Sequence, residues 1–289
     1  MLSNWVFLAL VSALSIASAD AATKRYFSDV DIWDTLVVRV VLTGMVMAPW
    51  VVVNTVVPND NVFWIWVACL ACLDLIALFL YAHAITTSPL SHTLPYLALA
   101  PVFSALTSYV LLGEAISLRG LIGILLVTLG AYRLNSDSHE AGLLGPLRFL
   151  LTESGPRLIL VVALIFGMTA TLGKGALSYM PAEQFGPSYA MLLGGLVWII
   201  MMVKKRSVFK IIHRRPMASM LVSGTMSLMV LSHFLAIQLV EVPYMIAVKR
   251  TSVIFGLLLG AWLFREGNLR NNLIACVIMV VGVALVAIG

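Results

Sequence analysis

The chain has 289 residues, 61% hydrophobic and 11% charged, and its 18 Lys and Arg against 13 Asp and Glu give a formal net charge of +5. This is far more apolar surface than one soluble domain could bury, which excludes a soluble globular protein and points to an integral membrane protein.

A bilayer core of about 30 Å takes roughly 20 apolar residues in a helix. Ten runs approach that length: 4–23, 35–57, 62–86, 89–112, 118–134, 157–177, 186–203, 217–240, 243–264 and 270–289. The connections are mostly a few residues long, which leaves no room for an extramembrane domain. A backbone in lipid must satisfy its own hydrogen bonds, and helices of this length do so, where a barrel would need short alternating strands. The expected fold class is all-α, a polytopic bundle of ten transmembrane helices.

The first run, WVFLALVSALSIASADAA, has the apolar core and small-residue Ala17-Ser18-Ala19 site of a signal peptide, but MLSN before it carries no positive charge. It is expected to be a retained helix. Arg39 in the second run is a cation at membrane depth. The third run holds Asp74, His83 and a Cys69-x-x-Cys72 pair. Without an electropositive setting these thiols, with Cys276, read as core filling. In the fourth, Pro95 and Pro101 predict a kink or freed carbonyls. Asp74, His83, His92 and His233 are candidates for proton coupling or substrate contact, because a carboxylate or imidazole in a membrane can change charge near neutral pH; satisfied buried side chains are the plainer alternative. The sixth run ends in GMTATLGKG, where five residues separate the glycines and Gly follows Lys174, so it is not a P-loop. Lys174 either faces a cavity or snorkels to the helix end.

The ninth run, PYMIAVKRTSVIFGLLLGAWLF, sets Lys249 and Arg250 side by side. Lys249 lies six residues past Pro243, about 9 Å along a helix axis, well inside a half-bilayer. Each such cation costs roughly 2.5–3.5 kcal/mol to insert, so it pairs internally or lines a wet cavity. Adjacent helical residues diverge by about 100°, so the two heads converge on one ligand only by bending, or serve different partners. Ser252 and Gly256 share the Lys249 face and would offer a hydroxyl and open space, and Pro243 suits a helix start whose dipole attracts an anion. Asp74 or Glu241 could instead neutralise one cation in a salt bridge. Tyr244 and Tyr96 could orient a ligand or anchor helix ends at the interface. Gly256 and Gly260 form a small-xxx-small face expected to pack within the chain. Glu114 and Glu266 end two helices and read as structural.

The chain also repeats. LALVSAL at 8–14 returns as LILVVAL at 158–164, with Lys24 and Ser28 matching Lys174 and Ser178. Phe103, Leu106, Leu111, Glu114 and Gly130 share their spacing with Phe255, Leu258, Leu263, Glu266 and Gly282. Two halves of five helices follow, 1–134 and 157–289, joined by an interfacial linker over 135–156. An odd number per half makes the repeat inverted, with a site near the midplane.

The five-plus-five organisation, the half endings LLGEAISLRGLIGILLVTLGAY and LFREGNLRNNLIACVIMVVGVALVA, and Lys at the end of the first helix of each half resemble the EamA-type branch of the drug/metabolite transporter superfamily. The resemblance covers essentially the whole chain and implies a secondary transporter with alternating access and no ATPase. AVKRTSVIFG is similar to the Lys-Arg segment by which sugar-phosphate and triose-phosphate translocators hold phosphate, a role that falls here on Lys249 and Arg250. The flanking residues depart from the plastid translocators, so their substrate does not carry over.

Of the 18 cations, thirteen fall in one set of loops and Arg119 alone in the other. The positive-inside rule then puts the basic loops in the cytoplasm and both termini outside, against the family's usual cytoplasmic termini. The KKRSVFKIIHRRP cluster suits anionic lipid headgroups better than nucleic acid.

The reading that follows is a bacterial plasma-membrane transporter, monomer or homodimer, of a small anionic, phosphate-bearing metabolite. Lys249 and Arg250 would bind the anion, and Lys174, Arg39, Ser252, Tyr244 and His92 would assist. A proton-coupled exporter of neutral or cationic metabolites acting through Asp74, and a lipid-handling or assembly factor, are the other classes. No enzyme motif, cofactor site or metal site stands in the chain.

Overall fold

The computed structural model describes residues 4–54, 57–87, 94–135, 150–264 and 269–288, and every regular element among them is helical. In chain order these are α1 (Asn4–Phe27), α2 (Ile32–Leu36), a π-helical turn (Val37–Val41) and α3 (Leu42–Asn54), α4 (Asn61–Thr87), a 3₁₀ turn (Leu94–Leu99) and α5 (Ala100–Leu112). Then follow α6 (Leu118–Asn135), α7 (Ser154–Ala176), α8 (Ala182–Val203), α9 (Val208–Arg214), α10 (Pro216–Ile237), α11 (Val242–Lys249), α12 (Ser252–Phe264) and α13 (Leu269–Ile288). Among the described residues eight segments are long and apolar enough to cross a membrane. α6 and α13, outside that set, pack against each other.

The places where the helices break follow from local chemistry. The run 35–57 is not one regular helix: the β-branched string Val37, Val38, Val40 and Val41 surrounds Arg39 in a π turn, and Thr43 donates its hydroxyl to the Arg39 carbonyl at 2.8 Å. Pro95 and Pro101 give a change from 3₁₀ to α geometry at Leu99–Ala100. α5 stops at Gly113, whose φ of 69° is left-handed, and the N–H groups of Gly113 and Glu114 return to the Tyr109 and Ser108 carbonyls. The run 243–264 divides at Arg250–Thr251, where Thr251 N–H to Val248 and Val253 N–H to Arg250 tighten the chain to i→i−3 bonds. The basic cluster contains a short helix, α9, that buries Val208 and Ile211.

The helices gather in two groups. α1 packs on α10, α11 and α12, and α8 on α3 and α10; on the other side α7 packs on α4 and α5, and α6 on α13. The α6–α13 crossing is close because Gly123 and Gly282 face each other's carbonyls; a Cβ on either would sit 2.7–2.8 Å from the opposing oxygen. Gly256 and Gly260 meet nothing within 4 Å, so the expected small-residue seam is absent there and this part of α12 borders open space. Cys69 and Cys72 are exposed rather than core, on an outer surface that also shows Ile65, Ile76 and Phe79.

Opposite ends of the bundle are tied differently. At one end the loops 28–31 and 204–215 meet: Arg206 pairs with Asp31, Lys204 lies over the Trp33 ring, and Arg215 grips Asp29 through two bonds of 2.7 and 2.6 Å. The Arg215 guanidinium holds the Asp29 carboxyl down to about 2, from an ordinary value of 3.8. At the other end Glu114 accepts from Lys174 and, at 2.9 Å, from the Val242 backbone N–H, while Lys174 also donates to the Val240 carbonyl at 2.7 Å. There Trp50 donates to the Glu183 carbonyl at 2.9 Å. This second end is the sealed one, with Val242–Val248 entirely buried.

Candidate functional site

The division of the ninth run positions the site. α11 begins with Pro243 in its first turn and is pinned by Tyr244, whose hydroxyl accepts from Ser117 N–H at 2.9 Å and donates to Ser117 Oγ at 3.3 Å. Its last residue is Lys249, and Arg250 and Thr251 form the turn into α12. The dipole ends beside the cations are therefore the C-terminus of α11, which favours positive charge, and the N-terminus of α12, which favours an anion. The start at Pro243 lies two turns away, at the sealed end, and does not act on the site.

Lys249 Nζ donates to Met229 Sδ at 3.3 Å and faces His233 Nδ1 at 3.2 Å, which accepts when the ring is protonated on Nε2. Neither partner neutralises it. Among the described residues Arg250 makes no side-chain hydrogen bond or ion pair, and no carboxylate stands within salt-bridge distance of either cation. Glu241 does not pair with them. Asp74 on α4 is near enough to act on Lys249 electrostatically, but its Oδ2 is held by the Tyr189 hydroxyl at 2.5 Å, with Thr169 in hydrogen-bonding reach. Lys249 thus has two neutral partners, and Arg250 has no side-chain partner among the described residues.

Aromatic rings close the space on the sealed side. Phe185 stacks on Tyr189 with centroids 5.9 Å apart and meets Phe234 edge-on at 5.0 Å, and His233 meets Phe234 edge-on at 5.0 Å. Phe63 and Tyr179 extend the cluster. Toward the opposite end Ser252 through Leu257 are only partly buried and Gly256 faces open space. The site is a partly buried cationic turn beside an aromatic floor, bounded by α4, α7, α8, α10 and the α11–α12 break.

The two matched stretches of sequence agree with this architecture: the EamA-like transporter family matches residues 3–136 and 154–288. The chain belongs to the EamA-like transporter family. It is accordingly a membrane transporter of small molecules, built from the family's two repeats. A solved crystal structure superposes with a TM-score of 0.75 over 99% of this chain and 96% of its own, at 15% identity, a likeness that shows the fold. No curated protein matches the sequence significantly.

The structure brings together Lys249, Arg250, His233, Asp74 and Ser252 of this EamA-like chain. The other expected residues lie elsewhere. Lys174 is held by Glu114 at the sealed end, and the Tyr244 hydroxyl is taken by Ser117. Tyr96 is 3% exposed, not at an interface. Arg39 pairs with Asp20 at 2.6 Å, nearer the basic end. His83 is exposed, and His92 lies outside the described residues, as does Glu266. Tyr189, Thr169 and Met229 belong to the site and were not singled out by sequence. Tyr189 alone offered a signal, a polar ring between apolar residues of PSYAMLL.

Proposed function

We propose that this EamA-like protein is a secondary transporter that carries a small anionic metabolite, phosphate-bearing compounds foremost, by alternating access. The reading rests on one observation: Lys249 and Arg250 share a half-buried turn without a carboxylate partner, so the site has positive charge to give to a ligand. The N-terminus of α12 adds attraction of the same sign, as half-helix ends do in transporters with broken helices. On this reading the chain crosses the membrane ten times as two inverted five-helix repeats, over 1–134 and 157–289, in a bacterial plasma membrane with the basic end cytoplasmic and both termini outside. Rocking of the two helix groups would open the sealed end while closing the other.

Asp74 favours a second reading, a proton-coupled exporter of neutral or cationic metabolites. A carboxylate held by Tyr189 at the same site is a place for a coupling proton, with His233 a second.

Thermal stability of the purified protein against sugar phosphates, inorganic phosphate, amino acids and amines at constant ionic strength separates the two. A ligand at 100 times its dissociation constant adds about 2.7 kcal/mol to the state it binds. Stabilisation by phosphorylated compounds, strongly reduced in folded K249A/R250A, is the expected result. Stabilisation by neutral or cationic compounds alone, or an equal response of the variant, overturns it and favours the exporter.

A further inference from the structure

A second charged constellation stands apart from the Lys249 site. Asp20 lies seven residues before the end of α1, about 10 Å inside the bundle along the helix axis. The Asp20 side chain is 59% exposed, and Lys24 and Arg25 one turn further on place it near the basic end of the bundle. Arg39 reaches Asp20 from the π turn of another helix, at 2.6 Å, and also donates to Thr23 Oγ1 at 3.2 Å. The guanidinium itself is mostly covered, its side chain 21% exposed.

α4 runs beside this pair. Tyr81 stands within electrostatic reach of both Asp20 and Arg39. Seven residues of helix separate Tyr81 from Asp74, so the two lie on one stripe of α4, two turns and about 10 Å apart. That stripe runs from the pair toward Asp74 and the Lys249 site.

Water competes with Arg39 for the exposed Asp20 carboxylate and weakens the pair. Arg39 can therefore exchange Asp20 for another oxyanion at little cost, and its planar fork fits a carboxylate or phosphate in two-pronged fashion. We infer that Arg39, with Thr23 beside it and Asp20 as internal competitor, forms a second anion station near the basic end, entered when a small oxyanion takes Arg39 from Asp20 and left when Asp20 takes it back. The station rests on the anion reading for its place in transport but is separate from Lys249 and Arg250 in structure.

The test is the thermal denaturation midpoint of the full-length protein titrated with inorganic phosphate at constant ionic strength, in wild type, K249A/R250A, D20N, R39Q and R39K. The station predicts that K249A/R250A keeps a weaker phosphate response that R39Q abolishes in that background. It also predicts that D20N lowers the half-maximal phosphate concentration of that response by about two- to five-fold, the competitor having gone. R39K keeps the charge and the fold while losing the fork, so a weakened but present response there separates lost recognition from lost folding. If K249A/R250A abolishes the whole response while R39Q and D20N leave it unchanged, the station is overturned and the Lys249 site stands. If R39Q alone abolishes it and K249A/R250A does not, the station stands and the Lys249 reading falls. No response in any variant, wild type included, overturns both.

Discussion

Lys249 and Arg250 announced themselves because charge is scarce in apolar runs, and the same signal served for Asp74 and Arg39. What the linear sequence withheld was the partner of each. Asp20 carries the same signal as Arg39 but is hidden in a run that mimics a signal peptide, and pairing across 19 residues has no periodicity to betray it. Glycines show the same limit. Gly256 and Gly260 have the spacing of a packing face and face open space, whereas Gly123 and Gly282 carry the close contact. Gly256→Ala is therefore expected to leave the melting temperature unchanged or slightly raised. Gly123→Ala or Gly282→Ala drives a Cβ against backbone oxygen and should cost about 1–3 kcal/mol. Equal melting temperatures for all three would refute the assignment of which glycines pack.

At the scale of elements, length and hydropathy located the eight candidate membrane segments to within about six residues, since those runs answer to bilayer thickness, while the runs 118–134 and 270–289 fall outside that set. Their interruptions were less visible. The π turn at Val37–Val41 and the break at Arg250–Thr251 occur in sequences that read as unbroken helix, because neither contains Gly or Pro to mark it. The helix α9 was likewise masked by its charges: a seven-residue amphipathic turn with two buried apolar residues gives little periodicity. This element joins the loop 28–31 through Arg215 and Asp29, which yields a pH prediction. The Asp29 carboxyl is lowered from 3.8 to about 2, so its stabilising contribution is fully present above about pH 4 and is lost as pH falls through about 2. The difference in thermal midpoint between wild type and D29N, present at pH 5, should close as pH is lowered from about 4 to about 2. A difference that persists below this window would show that the carboxylate's charge is not its source.

For the whole molecule, the two repeats were legible in shared spacing, and α6 and α13, which bear the matching Gly130 and Gly282, do meet. The grouping of helices was not legible, because neighbours in space come from opposite halves: α1 lies on α10 and α4 on α7. Closure of the sealed end depends on one such link, Glu114 from the first half with Lys174 and Val242 from the second. Both side chains are largely covered, and a hydrogen bond to a charged group is worth about 1.5–3 kcal/mol. Glu114→Ala should thus speed hydrogen exchange at the Val242 amide by about tenfold or more, whereas unaltered exchange would show that other contacts hold this end shut.

The break at Arg250–Thr251 makes a joint out of what would have been a rod. On one side α11 is tied to the first half through Tyr244 and Ser117; on the other α12 packs on α1 and meets no neighbour at Gly256 and Gly260. The two cations sit at the joint itself. On the proposed function, a bound anion would be gripped where α11 bends into α12, so that loading the site and setting that bend would be one mechanical coordinate.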